Sequence, residues 1–136
     1  MKTTNALLDA NILLHYLTED IPEKTDRCER LIKKATKGQL RLRVPDFCVA
    51  DVVWVLVKYY RTRREDIAEK LMALLNTPGL EFANPTILRG ATRRFGARGV
   101  DFTDAYLAAE AAFTGTAVYS YDRDLDKFSD VTRQEP

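Results

Sequence analysis

Short apolar runs alternate with longer segments of helical periodicity along most of the chain. The runs at 6–8, 80–83 and 117–119 are long enough for short strands, and residues 40–44 alternate apolar residues with arginine, which predicts a strand with one exposed side. Between them, apolar residues recur at intervals of three and four, which predicts helices at about 11–17, 23–36, 46–60, 65–75, 85–98 and 101–114. Strands that alternate with helices predict an α/β domain, a three-layer α/β/α sandwich with a mostly parallel sheet of four to five strands.

Length and composition point to one ordinary globular domain. A chain of 136 residues can bury a sizeable core, so we expect a single domain over residues 1–136. Apolar residues make up 46% and charged residues 30%, and the net charge of +1 indicates no class of partner. Cys28 and Cys48 have neither metal-ligand nor redox spacing, which favours reduced thiols and a cytoplasmic location. Asp9 interrupts the N-terminal apolar stretch, which argues against a signal peptide, and no run approaches the roughly 20 apolar residues of a membrane helix.

The stretch 101–128 carries most of the candidate chemistry. Asp101 and Asp104 stand three residues apart at the start of an alanine-rich helix, so both carboxylates can share one face. Gly115 suits the C-terminal cap of that helix, and a short strand follows. After this strand come a serine and three further acids: Ser120, Asp122, Asp124 and Asp126. Sites in open parallel sheets form at the carboxyl ends of strands, and Asp122 is the acid closest to that position.

Two further acids lie in the first half of the chain. Asp9 ends the first predicted strand, and Asn11 follows it on a short helix. Asp51 is the only charged residue from position 47 to position 57, so we expect its carboxylate to be partly buried. A buried carboxylate needs a cation, which leaves a salt bridge to an arginine or a metal ion as the two explanations. The single histidine, His15, has no second ligand nearby in the sequence, which favours a structural role.

The predicted sheet allows these acids to converge. Asp9 and Asp122 can meet at the carboxyl edge if the first and fourth strands are neighbours, and a helix N-terminus at the same edge would add Asp104. Carboxylates crowded together repel one another unless a cation lies between them. Oxygen ligands without histidine or cysteine favour Mg²⁺ or Mn²⁺. The pattern therefore predicts a metal-dependent phosphoryl-transfer site.

The helix at 85–98 is basic and has no acidic partners in its own sequence. Such a helix can present a solvated face or contact the phosphate backbone of a nucleic acid. Its candidate RNA-binding residues are Arg89, Arg93, Arg94 and Arg98.

Four segments resemble the four acidic motifs of the PIN domain family: LLDANILLHYL, VADVVWVL, DFTDAYLAAEA and VYSYDRDLDKF. Their order and spacing match along nearly the whole chain, with 18 residues from Asp104 to Asp122. The chain is most similar to the VapC-like ribonuclease toxins of type II toxin–antitoxin systems. This resemblance implies the α/β/α sandwich and Mg²⁺- or Mn²⁺-dependent endoribonuclease activity.

The resemblance also implies a role for each motif residue. The implied metal ligands are Asp9, Asp104 and Asp122; Asp51 completes the catalytic set; Asn11, Asp101 and Ser120 support it. Two positions depart from the family pattern. Asp51 stands where glutamate is usual, which shortens the reach of the carboxylate by about 1.5 Å, one carbon–carbon bond, and favours a water-bridged contact. Ala10 stands where a hydroxyl residue is common.

The implied partners are an RNA substrate, a VapB-like antitoxin and a second copy of the chain, with no membrane. Candidates for the dimer or antitoxin surface are Trp54, Tyr59, Tyr60 and Ile67, although the core is the favoured place for Trp54.

Two other classes of function remain open from the sequence. A phosphatase or phosphoacceptor domain of similar α/β build would need a lysine or threonine to hold the phosphoryl group, and Lys127 is the only lysine near the acids. A PIN-fold module that binds RNA or a partner without cleavage would have lost the metal. Ribonuclease assays with and without EDTA separate these classes.

Overall fold

The computed structural model describes residues 3–136, which form six α-helices and five short β-strands. The strands are β1 (Thr4–Leu7), β2 (Leu40–Val44), β3 (Leu80–Phe82), β4 (Val118–Tyr119) and β5 (Arg133–Gln134). The helices are α1 (Ala10–Thr18), α2 (Pro22–Thr36), α3 (Asp46–Lys58), α4 (Arg64–Leu75), α5 (Pro85–Ala97) and α6 (Phe102–Thr114), followed by a 3₁₀ helix at Arg123–Lys127. None of the helices in this part of the chain is long and apolar enough to cross a bilayer.

Every strand pairing is parallel, which confirms the predicted α/β class and agrees with a three-layer α/β/α arrangement. β2 lies in the centre of a three-stranded sheet, where Leu42 is in register with Ala6 of β1 and Leu80 of β3. Over residues 3–136, β4 pairs only with β5, so the strands form two sheets rather than one. β1 and β4 are therefore not hydrogen-bonded neighbours, and the condition that would bring Asp9 to Asp122 through adjacent strands is not met.

The main core lies between the sheet and the helices. Leu42 and Val44 point into it from β2, while Arg41 and Arg43 are exposed, as the alternation in the sequence predicted. α5 packs against both α4 and α6. The largest fully buried side chain belongs to Phe95 of α5, and its ring meets that of Phe102 edge to face, with centroids 5.9 Å apart. This packing holds the beginning of α6 against α5.

The alanine-rich helix α6 ends where its glycine predicted. Gly115 has a left-handed backbone with φ of 70°, and its amide donates to the carbonyl of Ala111. The sequence interpretation missed the short 3₁₀ helix that follows β4. Its N-cap is Asp122, whose side chain accepts from the amide of Asp124. An aspartate at this position is a favourable cap, so the signal was present in the sequence.

Candidate metal centre

Asp104 is held in place by the anchored N-terminus of α6. It lies half-buried in the first turn of the helix, two residues after the buried Phe102. The guanidinium of Arg64 lies 4.2 Å from the ring centroid of Phe95 and donates hydrogen bonds to the carbonyls of Phe95 and Val100, at 3.0 and 2.6 Å. These contacts tie down the segment that leads into α6, so the Asp104 carboxylate has a defined position.

Asp122 and Asp124 are presented by a hydrogen-bonded turn after β4. The hydroxyl oxygen of Ser120 accepts from the amide of Asp122 at 2.9 Å. One carboxylate oxygen of Asp122 accepts from the amide of Asp124, also at 2.9 Å. The backbone of the turn therefore directs two carboxylates to the same side, and Ser120 supports them through the main chain.

Three carboxylates come together at this point. Asp104, Asp122 and Asp124 each contribute an oxygen, and these oxygens lie within 4.8 Å of one another. Within residues 3–136 this is the group of acids close enough to share a metal ion. The donors are hard oxygen atoms; the carboxylates of Asp104 and Asp124 are half-buried, and that of Asp122 is exposed. This donor set fits Mg²⁺ or Mn²⁺, which bind through a few carboxylates and keep several waters. Asp124 was not among the predicted ligands.

The charges in this cluster shift two pKa values in opposite directions. Burial, followed by the hydrogen bond and charge of Asp122, raises the pKa of Asp104 from 3.8 to about 6. The backbone amide of Asp124, followed by the hydrogen bond from Asp104, lowers the pKa of Asp122. The pair therefore holds a proton on Asp104 below about pH 6, and a bound cation would have to displace it. Carboxylates this close repel one another, and a cation bound between them would relieve that repulsion.

Two cations lie at the rim of the cluster. The Lys127 ammonium is 3.1 Å from Asp124 and also donates to the carbonyl of Gly99 at 3.2 Å. Arg133 pairs with Asp126 at 3.0 Å and donates to the carbonyl of Ser120 at the same distance. Lys127 is thus engaged with a carboxylate and a carbonyl, so a role in holding a phosphoryl group gains no support. Arg133 braces the turn that carries the acids.

Asp9 occupies a different local setting. Its side chain is the N-cap of α1 and accepts from the amide of Ala10 at 2.7 Å. The structure places it outside the group formed by Asp104, Asp122 and Asp124. Burial raises the pKa of the Cys48 thiol, the backbone amide of Ala10 acts to lower it, and the negative charges of Asp9 and Asp51 raise it further. The Cys48 thiol in the first turn of α3 is therefore close enough to both carboxylates to feel their charge.

The expected partial burial of Asp51 is wrong. Its side chain is exposed on α3. The helix buries the opposite side, formed by Cys48, Val49, Val52, Val53 and Leu56. Phe47 and Trp54, the aromatic residues within one helical turn of Asp51, are also exposed, at 70% and 63%. The prediction failed because α3 buries only one face and exposes aromatic residues on the other. Because Asp51 is exposed, burial does not require a cation beside its carboxylate.

The remaining predicted site residues differ in exposure and in whether they pair with other residues of the protein. Asp101 precedes α6 without a side-chain cap bond, and its charge contributes to the raised pKa of Asp104. Asn11 lies exposed in the first turn of α1. On α5, Arg89 donates to Asn76 at 2.8 Å and Arg94 pairs with Asp130, so both are engaged within the protein. The other two arginines of the set are exposed: Arg93 and Arg98.

Sequence reasoning also missed a polar contact between α3, α5 and α6. Asp46 accepts hydrogen bonds from the hydroxyl of Tyr106 and from the side-chain amide of Asn84, while its other carboxylate oxygen is buried without a partner. Burial and the adjacent carboxylate raise the pKa of Tyr106 to about 12. Tyr106 lies two residues after Asp104, so this contact joins the first turn of α3 to the helix that carries the cluster. Asp46 itself lies in the first turn of α3, after Pro45 at the N-cap.

The fold and this acidic cluster agree with one family of proteins. The sequence profile of the PIN domain matches residues 6–131. The chain therefore belongs to the PIN domain family, as its four motifs predicted. VapC ribonuclease of Aquifex aeolicus (strain VF5) is 27% identical over 122 residues, which cover 89% of this chain and 90% of that protein.

Proposed function

We propose that this PIN domain is a Mg²⁺- or Mn²⁺-dependent endoribonuclease that hydrolyses phosphodiester bonds in RNA. The observation that carries the proposal is the cluster of Asp104, Asp122 and Asp124, with oxygens within 4.8 Å of one another. The similarity to VapC ribonuclease over 89% of the chain supports ribonuclease activity as the chemistry.

The acidic cluster suits this reaction through the arrangement of its own side chains. Asp104 and Asp122 would hold the ion, Asp124 would contribute a third oxygen, and Ser120 would keep the turn in place. A divalent ion bound there supplies hydroxide from water and neutralises charge on the phosphate. Asp9 and Asp51 would add negative charge that attracts the ion or order its waters, and Asn11 and Asp101 would support the acids beside them. Arg93 and Arg98 would contact the RNA backbone.

The test is cleavage of a fluorescently labelled, structured RNA with Mn²⁺, with Mg²⁺ and with EDTA. We expect cleavage with either ion and none with EDTA. Asp104→Asn and Asp122→Asn should remove the activity, whereas Asp26→Asn, an exposed acid on α2, should retain it. Equal cleavage by the parent and both cluster variants would assign the activity to a contaminant and contradict the proposal.

A second candidate is a PIN-fold module that binds RNA or a protein without cleaving RNA. The observation that favours it is the position of Asp9 and Asp51, which do not join the three clustered acids. This candidate predicts RNA binding in EDTA with no cleavage under any metal condition.

We further propose that the protein is a toxin that pairs with a VapB-like antitoxin and forms a homodimer. The support is a set of exposed apolar side chains on and beside α3: Phe47, Trp54 and Tyr59 are 63–76% exposed. Trp54 is at the surface, contrary to the favoured sequence interpretation, and Ile67 is fully buried, so Ile67 leaves the candidate surface. Tyr60 is half-buried and donates to Asp20. Light scattering at tens of micromolar tests the dimer, and a monomer there contradicts it.

A further inference from the structure

A groove lies between α1 and α2, and apart from Asn11 none of its lining residues has a part in the chemistry described above. It has a volume of about 440 Å³ and begins at the first turn of α1, two residues after Asp9. The α1 side is formed by Asn11, Ile12 and His15, and the α2 side by Lys24, Arg27, Cys28 and Leu31. This volume lies within the roughly 300–1,000 Å³ of sites that hold a small molecule or a single residue of a polymer.

The groove has a stable shape because its two helices are tied together at one end. The hydroxyl of Thr25 in α2 is buried and donates to the carbonyl of His15 at 2.7 Å. Cys28, which lines the floor, is buried. The shape of the groove is therefore set by the packing of the two helices.

Two cations line the rim on the α2 side. Lys24 and Arg27 stand three residues apart, so they share one side of the helix. Both are exposed, and in residues 3–136 neither lies within 4 Å of a carboxylate. The nearby Asp20 is engaged by Tyr60 and Thr18. The positive charge of the groove is therefore available to an anionic ligand.

The other lining groups favour a nucleotide over a simple anion. Ile12 and Leu31 provide apolar surface for a base, and the half-buried imidazole of His15 provides a planar ring. Bases of single-stranded RNA stack on such rings while cations track the phosphates. The side-chain amide of Asn11 can both donate to and accept from a base edge.

We propose that the α1–α2 groove binds a nucleotide of single-stranded RNA, with the base over Ile12 and Leu31 and the phosphate at Lys24 and Arg27. The proposal rests on the ribonuclease function and names a surface outside the acidic cluster that holds part of the RNA substrate. An acidic protein segment is the competing ligand that the experiment distinguishes.

The experiment measures binding without cleavage. A fluorescein-labelled single-stranded RNA of mixed sequence is titrated with the full chain in EDTA, and anisotropy gives the dissociation constant at several salt concentrations. The double variant Lys24→Ala/Arg27→Ala is compared with Arg30→Ala/Lys33→Ala. The control removes the same two residue types at the same spacing from the same exposed helix, away from the groove.

We expect the groove variant to bind RNA about tenfold more weakly at moderate salt, with the slope of log K against log salt reduced by about 1.4, since two single-strand phosphate contacts are lost. The control should keep the affinity and the slope. Equal losses in both double variants, or no loss in the groove variant, would overturn the proposal. An unlabelled polyglutamate peptide that displaces the RNA as well as unlabelled RNA does would also overturn it, in favour of an acidic protein ligand.

A further variant tests the base contact separately from charge. Leu31→Ala removes apolar surface from the groove and leaves both cations in place; the side chain is half-buried, so the fold should tolerate the change. We expect weaker RNA binding with an unchanged salt slope, because base–side-chain contact does not release counterions. Unchanged affinity would exclude the base from the groove. Metal-dependent RNA cleavage is measured in parallel. If the parent cleaves RNA but the groove variants bind RNA as tightly as the parent, only the groove proposal is contradicted. If the parent does not cleave RNA, the proposed ribonuclease function is contradicted.

Discussion

Two aspartates that follow strands in this chain have similar local structure and different surroundings. Asp9 follows β1 and caps α1 by accepting from the Ala10 amide at 2.7 Å. Asp122 follows β4 and caps the 3₁₀ helix by accepting from the Asp124 amide at 2.9 Å. Only Asp122 has two other carboxylates within 4.8 Å. An acid at the end of a strand is thus a helix cap first, and it becomes part of a metal centre only where a second element brings further acids to it.

The first turns of α3 lie between these two regions. The Cys48 thiol, whose pKa is raised by burial, lies near the amide that follows Asp9, and Asp46 accepts a hydrogen bond from Tyr106 of the helix that carries Asp104. The β1 region and the β4 region are therefore connected through side chains of α3, although their strands belong to different sheets. Variants of each region and of the connection between them test whether the two regions act separately.

The largest effect should come from removing single carboxylates. Asp122→Asn and Asp104→Asn should each lower Mn²⁺ affinity by about 100-fold or more, beyond the 10- to 100-fold range of outer-sphere partners. Asp9→Asn should lower it by less than about tenfold, since its carboxylate lies outside the cluster. Isothermal titration with Mn²⁺ measures all three, with Asp26→Asn as the control. A loss for Asp9→Asn as large as that for Asp122→Asn would mean that the two regions share the ion.

The second largest effect is a pH dependence of metal binding. The pKa of Asp104 is raised to about 6, so the folded protein holds a proton there that the ion must displace. Mn²⁺ affinity should therefore fall by up to about tenfold per pH unit below pH 6 and level off above it. Titrations from pH 5 to pH 8 measure this profile, and a flat profile down to pH 5 would contradict it.

The raised pKa of Asp104 also affects folding stability, with the opposite dependence on pH. The folded pKa lies above the value of 3.8 in the unfolded chain, so the folded state binds the proton more tightly. The contribution of Asp104 to the free energy of unfolding is fully present below pH 3.8 and is lost as the pH rises through 6. Asp104→Asn should therefore melt higher than the parent at pH 7.5 without metal, and a lower melting temperature would contradict the assignment.

Asp124 should have an intermediate effect on metal binding. Asp124→Asn should reduce Mn²⁺ affinity by about tenfold, because it removes a ligand charge that the Lys127 ammonium, 3.1 Å away, already neutralises in part. Lys127→Met should raise the affinity, since it removes the ammonium that lies 3.1 Å from Asp124. Neither change should alter thermal stability much, because an exposed ion pair contributes little. Lower affinity in Lys127→Met would show that the lysine supports the site.

The connection through α3 should affect stability more than chemistry. Tyr106→Phe leaves the Asp46 carboxylate with one hydrogen bond fewer, although one of its oxygens is already buried without a partner. The expected loss is about 1–3 kcal/mol in the free energy of unfolding, measured by urea denaturation. Tyr16→Phe, a change at another half-buried tyrosine, is the control and should cost less. Equal losses of unfolding free energy in the two variants would show that the hydrogen bond from Tyr106 to Asp46 adds no particular stability.

The smallest effect is expected at Asp51. Because the side chain is exposed, Asp51→Glu should change the free energy of unfolding by no more than about 0.5 kcal/mol. If Asp51 acts through a water on the ion, Asp51→Glu should keep or raise RNA cleavage and Asp51→Asn should lower it. Cleavage and thermal melting of the three proteins measure this. An Asp51→Asn protein as active as the parent would remove Asp51 from the site.

The sequence by itself determined the α/β class, the family and most element boundaries. The pattern in α6 is an example: helix-forming residues follow Asp101, and Gly115 ends the helix with a positive φ. These features depend on local propensity and on which side of each element is apolar, and neighbouring residues in the chain carry that information. The alternation in β2 predicted its exposed arginines for the same reason.

Only the tertiary structure decided which acids meet. Asp51 has apolar neighbours along α3, yet the helix turns that side to solvent, because its other face already fills the core. Asp124 joins the cluster because hydrogen bonds of Ser120 and Asp122 hold the turn that carries it. Asp9 acts only as a helix cap because β4 pairs with β5 and not with β1. Distances between residues far apart in the chain depend on strand order and on how each helix is rotated about its axis. A sequence pattern constrains which faces are buried, and it does not specify which neighbour each exposed side chain will have.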